Sequence, residues 1–94
     1  MRITTHPGAI LKEELATTGM SAHALSMALS VPASRIDRIV KCRRSITPDT
    51  ALRLAAYFGG KPDFWLNLQM AHDLAFAERE NGQDIRRTIR SKAA

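Results

Sequence analysis

Two short amphipathic patterns near the middle of the chain are separated by a turn too tight for an ordinary loop. They lie in SAHALSMALSVPASRIDRIVK, which begins at Ser21 and ends at Lys41. Leu25 and Leu29 are four residues apart in the first pattern, Ile36 and Ile39 are three apart in the second, and Val31 lies between the two pairs. Such spacing places side chains on one face of a helix. The segment therefore predicts a helix-turn-helix whose second helix presents small, polar and basic side chains.

A first helix is predicted before this pair. Pro7 fits its first turn, where the N–H that proline lacks would have no partner. Its apolar stripe consists of Ile10, Leu11 and Leu15, and its polar side carries Lys12, Glu13 and Glu14. Gly19 suits a left-handed helix end. We expect this helix to brace the helix-turn-helix.

The turn residues predict where the paired helices begin and end. Ser21 can cap the second helix, and Pro32 is expected at the first position of the third. Ser30 in the turn and Cys42 after the third helix occupy positions where glycine is usual, because the backbone there commonly turns left-handed. Whether φ is positive at these two positions is left open by the sequence.

The C-terminal half predicts two further helices. Thr47-Pro48-Asp49 is a strong helix start, and Gly59-Gly60 a stop. Leu52, Leu54, Ala55 and Phe58 are the expected buried side of that helix. Pro62-Asp63 then opens a longer last helix, expected to end near Asn81-Gly82, with Phe64 and Leu68 on its core face. The chain shows no strand-like alternation, so we predict an all-α protein of about five helices with a longer C-terminal helix.

The last helix carries more apolar side chains than one stripe can hold. We expect the surplus to contact a second subunit, at Trp65, Leu66, Met70 and Leu74, with Trp65 divided between core and subunit contact. Residues 1–6 are predicted to be an N-terminal arm, and residues 83–94 a basic C-terminal tail. The tail can be a short helix or a flexible segment. Residues 1–94 are expected to form one domain.

The distribution of charge along the chain indicates what kind of partner the protein binds. The chain of 94 residues has a formal net charge of +5, with 14 Lys and Arg against 9 Asp and Glu. The positive charge is concentrated in residues 35–44, which include the end of the predicted third helix, and in residues 86–94. A basic run usually forms a solvated surface, but its position on a helix suited to a DNA major groove favours double-stranded DNA as the partner.

The DNA contacts can be sorted by position along the third helix. Pro32, Ala33, Ser34, Asp37 and Arg38 lie where base edges are reached, and Arg38 can bind guanine through two hydrogen bonds. The later residues Lys41, Arg43 and Arg44 are expected to contact phosphates, together with the start of the second helix at Ser21 and His23. Arg35 belongs to the same basic run and completes the predicted DNA-binding set.

Other kinds of site have little support in the sequence. The three histidines share no metal spacing with each other or with the single Cys42, so we predict no metal and no cofactor. Glu13 and Glu14 are adjacent and diverge on a helix, and no nucleotide-binding or nucleophile motif is present, so we predict no enzyme. A lone cysteine, no leader and no long apolar run favour the cytoplasm and exclude a membrane span.

Four motifs together resemble the HigA antitoxins, also called VapI-type antidote proteins. They are HPGAIL at 6–11, the helix-turn-helix, SITPDTALRLAAYFG at 45–59 and PDFWLNLQ at 62–69. The resemblance implies a lambda-repressor-like DNA-binding domain, usually a homodimer, that represses its own operon. It also implies a partner toxin of the HigB type, a RelE-related messenger RNA endonuclease. Such a protein is expected in the bacterial cytoplasm, associated with the nucleoid.

The sequence leaves the toxin surface open. Because a ribosome-binding endonuclease is expected to be basic, the candidates are Glu13 and Glu14, or the acid-rich region 63–84. Two rival functions remain at this point. The protein can be a stand-alone helix-turn-helix repressor without a toxin, or a protein-interaction module whose basic face binds an acidic protein. An RNA-cleaving enzyme is a more distant alternative.

Overall fold

The computed structural model describes residues 5–93, and over this range the protein consists of helices and connecting segments without β-strands. The α-helices are α1 Pro7–Thr18, α2 Ala22–Leu29, α3 Ala33–Val40, α4 Pro48–Phe58, α5 Pro62–Ala77 and α6 Gln83–Thr88, with a π-helical segment Glu78–Gly82 between α5 and α6. The all-α prediction is confirmed. Residues 1–4 of the predicted arm and the last residue of the tail lie outside the described residues.

The core forms where the first five helices meet. Apolar side chains from each of them are buried in it, as is Ile46 from the α3–α4 connection: Leu11, Leu15, Leu25, Leu29, Ile36, Ile39, Ala51, Leu54 and Trp65. Val31 and Ile10 are partly buried against this cluster. The apolar positions predicted for the first three helices are therefore confirmed.

Two core predictions in α4 and α5 were wrong, because Leu52 is 60% exposed and Phe64 is 54% exposed. Trp65, which the sequence left divided between core and subunit contact, is 4% exposed and packs in the core. The reason is helical phase. Ala51, Leu54 and Ala55 form the buried stripe of α4, and Trp65 and Gln69 form that of α5, so Leu52 and Phe64 are turned away by roughly 100° per residue.

Each of the three connections before α4 uses a residue with positive φ. Gly19 ends α1 with φ 74°, Ser30 ends α2 with φ 58°, and Cys42 follows α3 with φ 60°. After α2, the N–H of Val31 donates to Ser26 O at 3.0 Å; after α3, the N–H of Arg43 donates to Arg38 O at 2.8 Å. These six-to-one bonds are Schellman motifs, which satisfy the last carbonyls of a helix. Positive φ at Ser30 and Cys42 answers the question that the sequence left open.

The last helix does not end near Asn81-Gly82 as predicted. The backbone stays helical through the π-helical segment into α6, so the first part of the predicted tail is a helix. Arg86 binds the Glu78 carboxylate through two hydrogen bonds, one of them at 2.9 Å, and bridges the irregular segment. With this extended helical backbone from α5 into α6, the molecule measures 51 × 21 × 21 Å. No helix within residues 5–93 is both long and apolar enough to cross a membrane.

Candidate nucleic-acid interface

The helix-turn-helix is formed by α2 and α3, with the left-handed Ser30 as its turn. Ser21 caps α2, its hydroxyl oxygen accepting from the N–H of Ala24 at 3.0 Å. Pro32 is the N-cap of α3 and Ala33 its first residue, one position later than predicted. The fixed φ of Pro32, −59°, sets the direction in which α3 leaves the turn. The orientation of α3 is thus determined by Ser30 and Pro32 together.

The outer face of α3 carries the side chains predicted to meet base edges. Pro32, Ala33, Ser34, Asp37 and Arg38 are all exposed, while Ile36 and Ile39 on the opposite face are fully buried. Asp37 accepts a hydrogen bond from Lys41 Nζ at 3.1 Å along the helix. In the part of the chain that the structure describes, Arg38 takes part in no ion pair. Its guanidinium therefore needs no rearrangement of protein contacts to bind a base.

Arg35 differs from the other cations of the basic run because it is held by α4. Its Nη1 donates to Asp49 Oδ2 at 2.6 Å, and its Nε is enclosed without a hydrogen-bond partner in the described structure. The same Oδ2 accepts from Arg53 Nε at 3.0 Å. Hydrogen bonds from Arg53 and then from Arg35 lower the pKa of Asp49. The carboxylate is therefore ionised over the whole neutral range.

Arg53 extends this contact to the end of α2. Its Nη1 donates to the carbonyl oxygen of Leu29 at 2.8 Å and to that of Ser30 at 3.4 Å. Carbonyls at the end of a helix lack partners within the helix, so this side chain satisfies groups that the turn leaves free. Sequence reasoning did not select Arg53. The spacing of four residues between Asp49 and Arg53 was the available signal.

The basic run continues beyond α3 on the connection to α4. The left-handed Cys42 reverses the chain direction, after which Arg43 and Arg44 are exposed. The following Ile46 is buried, and its N–H donates to Gln69 Oε1 of α5 at 2.8 Å. The predicted phosphate contacts are thus on a connection whose far end is fixed in the core.

Gln69 is the second important residue that sequence reasoning missed. It is 5% exposed, and besides accepting from Ile46 it donates through Nε2 to Asp73 Oδ1 at 2.9 Å. A glutamine inside an otherwise apolar helix face is a signal for such a bond, because a buried amide needs partners.

His6 and His72 line the same cavity as Arg43 and Arg44 of the basic connection. His6 caps α1, its Nδ1 accepting from the N–H of Gly8 at 2.8 Å, and its ring makes an edge contact with His72 of α5 with 4.9 Å between centroids. Burial and then the neighbouring His72 lower the pKa of His6, and Asp73 partly opposes them. Within residues 5–93, no three His, Cys, Asp or Glu side chains come together as metal ligands.

The remaining predicted contacts lie away from α3. Glu13 and Glu14 are exposed on α1, and His23 is exposed at the start of α2. On α5, Met70 is 62% and Leu74 is 67% exposed, and with Leu66 and Ala77 they form a largely apolar helix face that also carries Gln69 and Asp73. The residues predicted to bind DNA and the apolar face of α5 are therefore carried by different helices.

Comparison with known proteins gives a consistent set of similarities, although no family model matches the chain. It is 58% identical over 76 residues to virulence-associated protein I of Dichelobacter nodosus, covering 80% of this chain and 70% of that protein. A structure described as an addiction module antidote protein of a HigA family from Coxiella burnetii superposes with a TM-score of 0.91 at 45% identity, covering 96% of this chain and 99% of that one.

A second solved structure contains DNA. It is the Pseudomonas aeruginosa antitoxin HigA with the higBA promoter, similar to this chain with a TM-score of 0.90 and 40% identity, over 94% of this chain and 97% of that chain. At this level of identity and coverage the similarity extends through the helix-turn-helix and the long last helix.

Proposed function

The chain belongs to the HigA family of antidote proteins, which includes virulence-associated protein I, and from this membership we infer that it is an antitoxin and a sequence-specific DNA-binding autorepressor. The observation that carries the DNA-binding part is the outer face of α3. Small side chains at Ala33 and Ser34 let the helix approach base edges closely, and the exposed Arg38 offers the forked donor that guanine binds.

Base reading and phosphate binding are divided between two segments. The first turn of α3 and Arg38 read bases, whereas Lys41, Arg43 and Arg44 neutralise phosphates and add affinity for any sequence. The free N–H groups at the start of α2, next to Ser21 and His23, add a further phosphate contact. A polymerase is then excluded from the promoter by a protein that covers its own operator.

A homodimer is part of this proposal. One recognition helix covers only a few base pairs, and two helices about 34 Å apart read an inverted repeat in successive major grooves. The apolar row Leu66, Met70 and Leu74 on α5 is the surface that supports such pairing. Met70→Asp should give a monomer in sedimentation velocity with weakened DNA binding. Leu52→Asp, which places the same charge on an equally exposed site of α4, should leave the dimer intact.

The toxin partner is of the HigB type. The exposed carboxylates Glu13 and Glu14 lie on α1, and further acidic side chains lie along the region 63–84. Either surface can bind a basic endonuclease while α3 holds DNA. We expect the protein itself to have no nuclease activity, and we place it in the bacterial cytoplasm, bound to its operator on the nucleoid.

Two experiments test the proposal. Selection from a randomised duplex library should give an inverted repeat, and the promoter upstream of the protein's own gene should contain it. Failure to enrich any sequence would leave the protein-interaction module as the better explanation.

Co-expression with the neighbouring gene should give a stable complex that suppresses messenger RNA cleavage. A neighbouring gene that encodes no small basic protein, together with a clear operator, would favour the stand-alone repressor. RNA cleavage by the purified chain would instead indicate an enzyme.

A further inference from the structure

The first turn of α3 is tied to α2 through two side chains of α4. Arg53 binds the carbonyls at the end of α2, Asp49 binds Arg53, and the same Asp49 oxygen binds Arg35 in α3. The three charged side chains of this chain of contacts, Arg35, Asp49 and Arg53, lie outside the apolar core. The recognition helix is therefore fixed relative to α2 by polar contacts as well as by the packing of Ile36 and Ile39.

Arg35 loses most of its freedom in this arrangement. Its side chain is 23% exposed, its Nη1 is bonded to Asp49, and its Nε is enclosed. A free arginine has several rotatable bonds, and ordering them on DNA costs conformational entropy. The hydrogen bond to Asp49 already orders this side chain in the free protein, so the entropic cost is not incurred when DNA binds. The guanidinium carries five N–H donors, so donors beyond the one bonded to Asp49 remain for a base or phosphate.

We propose that Asp49 is a positioning residue for operator recognition, whose carboxylate holds the guanidinium of Arg35 in one orientation at the start of the recognition helix. This inference rests on the proposed DNA-binding function. Asp49 itself contacts no base. It acts through Arg35, and it favours the selected operator over random DNA because a fixed donor matches one arrangement of acceptors better than others.

The direction in which DNA affinity changes distinguishes a positioning role of Asp49 from a purely electrostatic effect of its negative charge. Removal of a carboxylate close to DNA should strengthen binding to every duplex, since it removes a repulsion from phosphates. Removal of a positioning residue should instead weaken binding to the operator and leave random DNA unaffected or bound more tightly. Asp49→Ala therefore gives opposite results under the two explanations.

The test uses the full chain and two duplexes of equal length, one selected by the wild-type protein and one random. For Asp49→Ala we expect about a tenfold loss of affinity for the selected duplex and no loss for the random one. Asp63→Ala is the matched control, because Asp63 also follows a proline at the start of a helix. Asp63→Ala likewise removes an acid near the positive end of a helix dipole, and it should leave the preference for the selected duplex over the random one unchanged.

A double-mutant cycle decides whether Asp49 acts through Arg35. In an Arg35→Ala background, Asp49→Ala should cause no further loss of preference. An equal loss with and without Arg35, or tighter binding of both duplexes by Asp49→Ala, would overturn the proposal. Loss of both affinities together with a lowered unfolding temperature in every variant would show a merely structural role. A wild-type protein without any preferred duplex would refute the DNA-binding function itself.

Discussion

Gly8 in the first turn of α1 lies directly against the backbone carbonyl of Ile39 in α3. A Cβ at Gly8 would overlap the carbonyl oxygen of Ile39 and lie 2.9 Å from its carbonyl carbon. The His6-Pro7-Gly8 start of α1 is therefore a packing feature. His6 and Pro7 set the beginning of the helix, and Gly8 allows it to approach the recognition helix closely.

Gly8→Ala should destabilise the protein by about 1–3 kcal/mol, because the backbone of α3 must shift to admit a methyl group. Helix propensity alone predicts the opposite sign, since alanine is favoured over glycine in a helix by about 1 kcal/mol. Chemical denaturation of the two proteins decides between them. A stabilised Gly8→Ala variant would show that α1 and α3 do not touch at this point.

Replacing either left-handed residue by glycine should stabilise the protein. Ser30 and Cys42 have φ of 58° and 60°, and relief of that strain is worth about 1 kcal/mol at each position. For a domain of this size the melting temperature should rise by about 4–8 °C for each change. Ser30→Ala and Cys42→Ala are the controls, because alanine keeps the strain. An equal rise with alanine would assign the gain to loss of the original side chain.

The helix-turn-helix and its brace could be predicted from the sequence because their signals are local. Ser21, Thr47 and Pro48 mark helix starts, and Gly19 and Gly59 mark helix ends, within a few residues of the elements that they limit. The core of α1 to α3 follows from spacings of three and four residues. In α1 and α3 the large apolar side chains lie on one face, which identifies the buried side; α2 also carries Met27, which is 69% exposed.

The wrong predictions concern helices whose apolar pattern is compatible with more than one buried face. The missed residues make contacts with residues distant in sequence. α5 is apolar on more than one face, so its pattern does not distinguish Trp65 from Phe64 as the core residue. Asn81-Gly82 resembles a helix stop, but the backbone stays helical there, and Arg86 binds Glu78 across this segment. The bonds of Gln69 and Arg53 join helices that only the packing brings together.

Gln69→Leu should destabilise the protein by about 1–3 kcal/mol, because the buried N–H of Ile46 would lose its acceptor. The leucine is close in size, so the effect arises mainly from the missing bond. Gln83→Leu, on an exposed position of α6, should change the free energy of unfolding by no more than about 0.5 kcal/mol. Equal effects of the two substitutions would show that the bond to Ile46 adds nothing to stability.

Arg38 and Arg44 should respond differently to alanine substitution. Arg38→Ala should relax the preference at one base step by about 1–3 kcal/mol, as expected for loss of a bidentate base contact. Arg44→Ala should weaken binding to all duplexes alike and reduce the slope of log affinity against log salt by about 0.9. Salt titrations on selected and single-substituted duplexes measure both. An equal loss of preference from the two substitutions would contradict the division between base and phosphate contacts.

Stability should fall as the pH drops below neutrality, because the cap of α1 depends on a neutral His6. Its Nδ1 accepts a hydrogen bond, and burial and then His72 lower its pKa below the ordinary value of 6.5, against a smaller opposing effect of Asp73. A lowered pKa in the folded state means that the unfolded chain binds the proton more readily. The stabilisation is therefore complete above about pH 6.5 and is lost as the pH falls through the lower folded-state pKa.

Thermal unfolding between about pH 7.5 and 5 measures this effect apart from ordinary carboxylates, which titrate below that window. His6→Asn keeps a capping side chain but removes the titrating group, so its melting temperature should depend less on pH than that of the wild type. His23→Asn alters an exposed histidine on α2 and should keep the wild-type dependence. If His6→Asn retains the full wild-type dependence, the pH sensitivity in this window has another source.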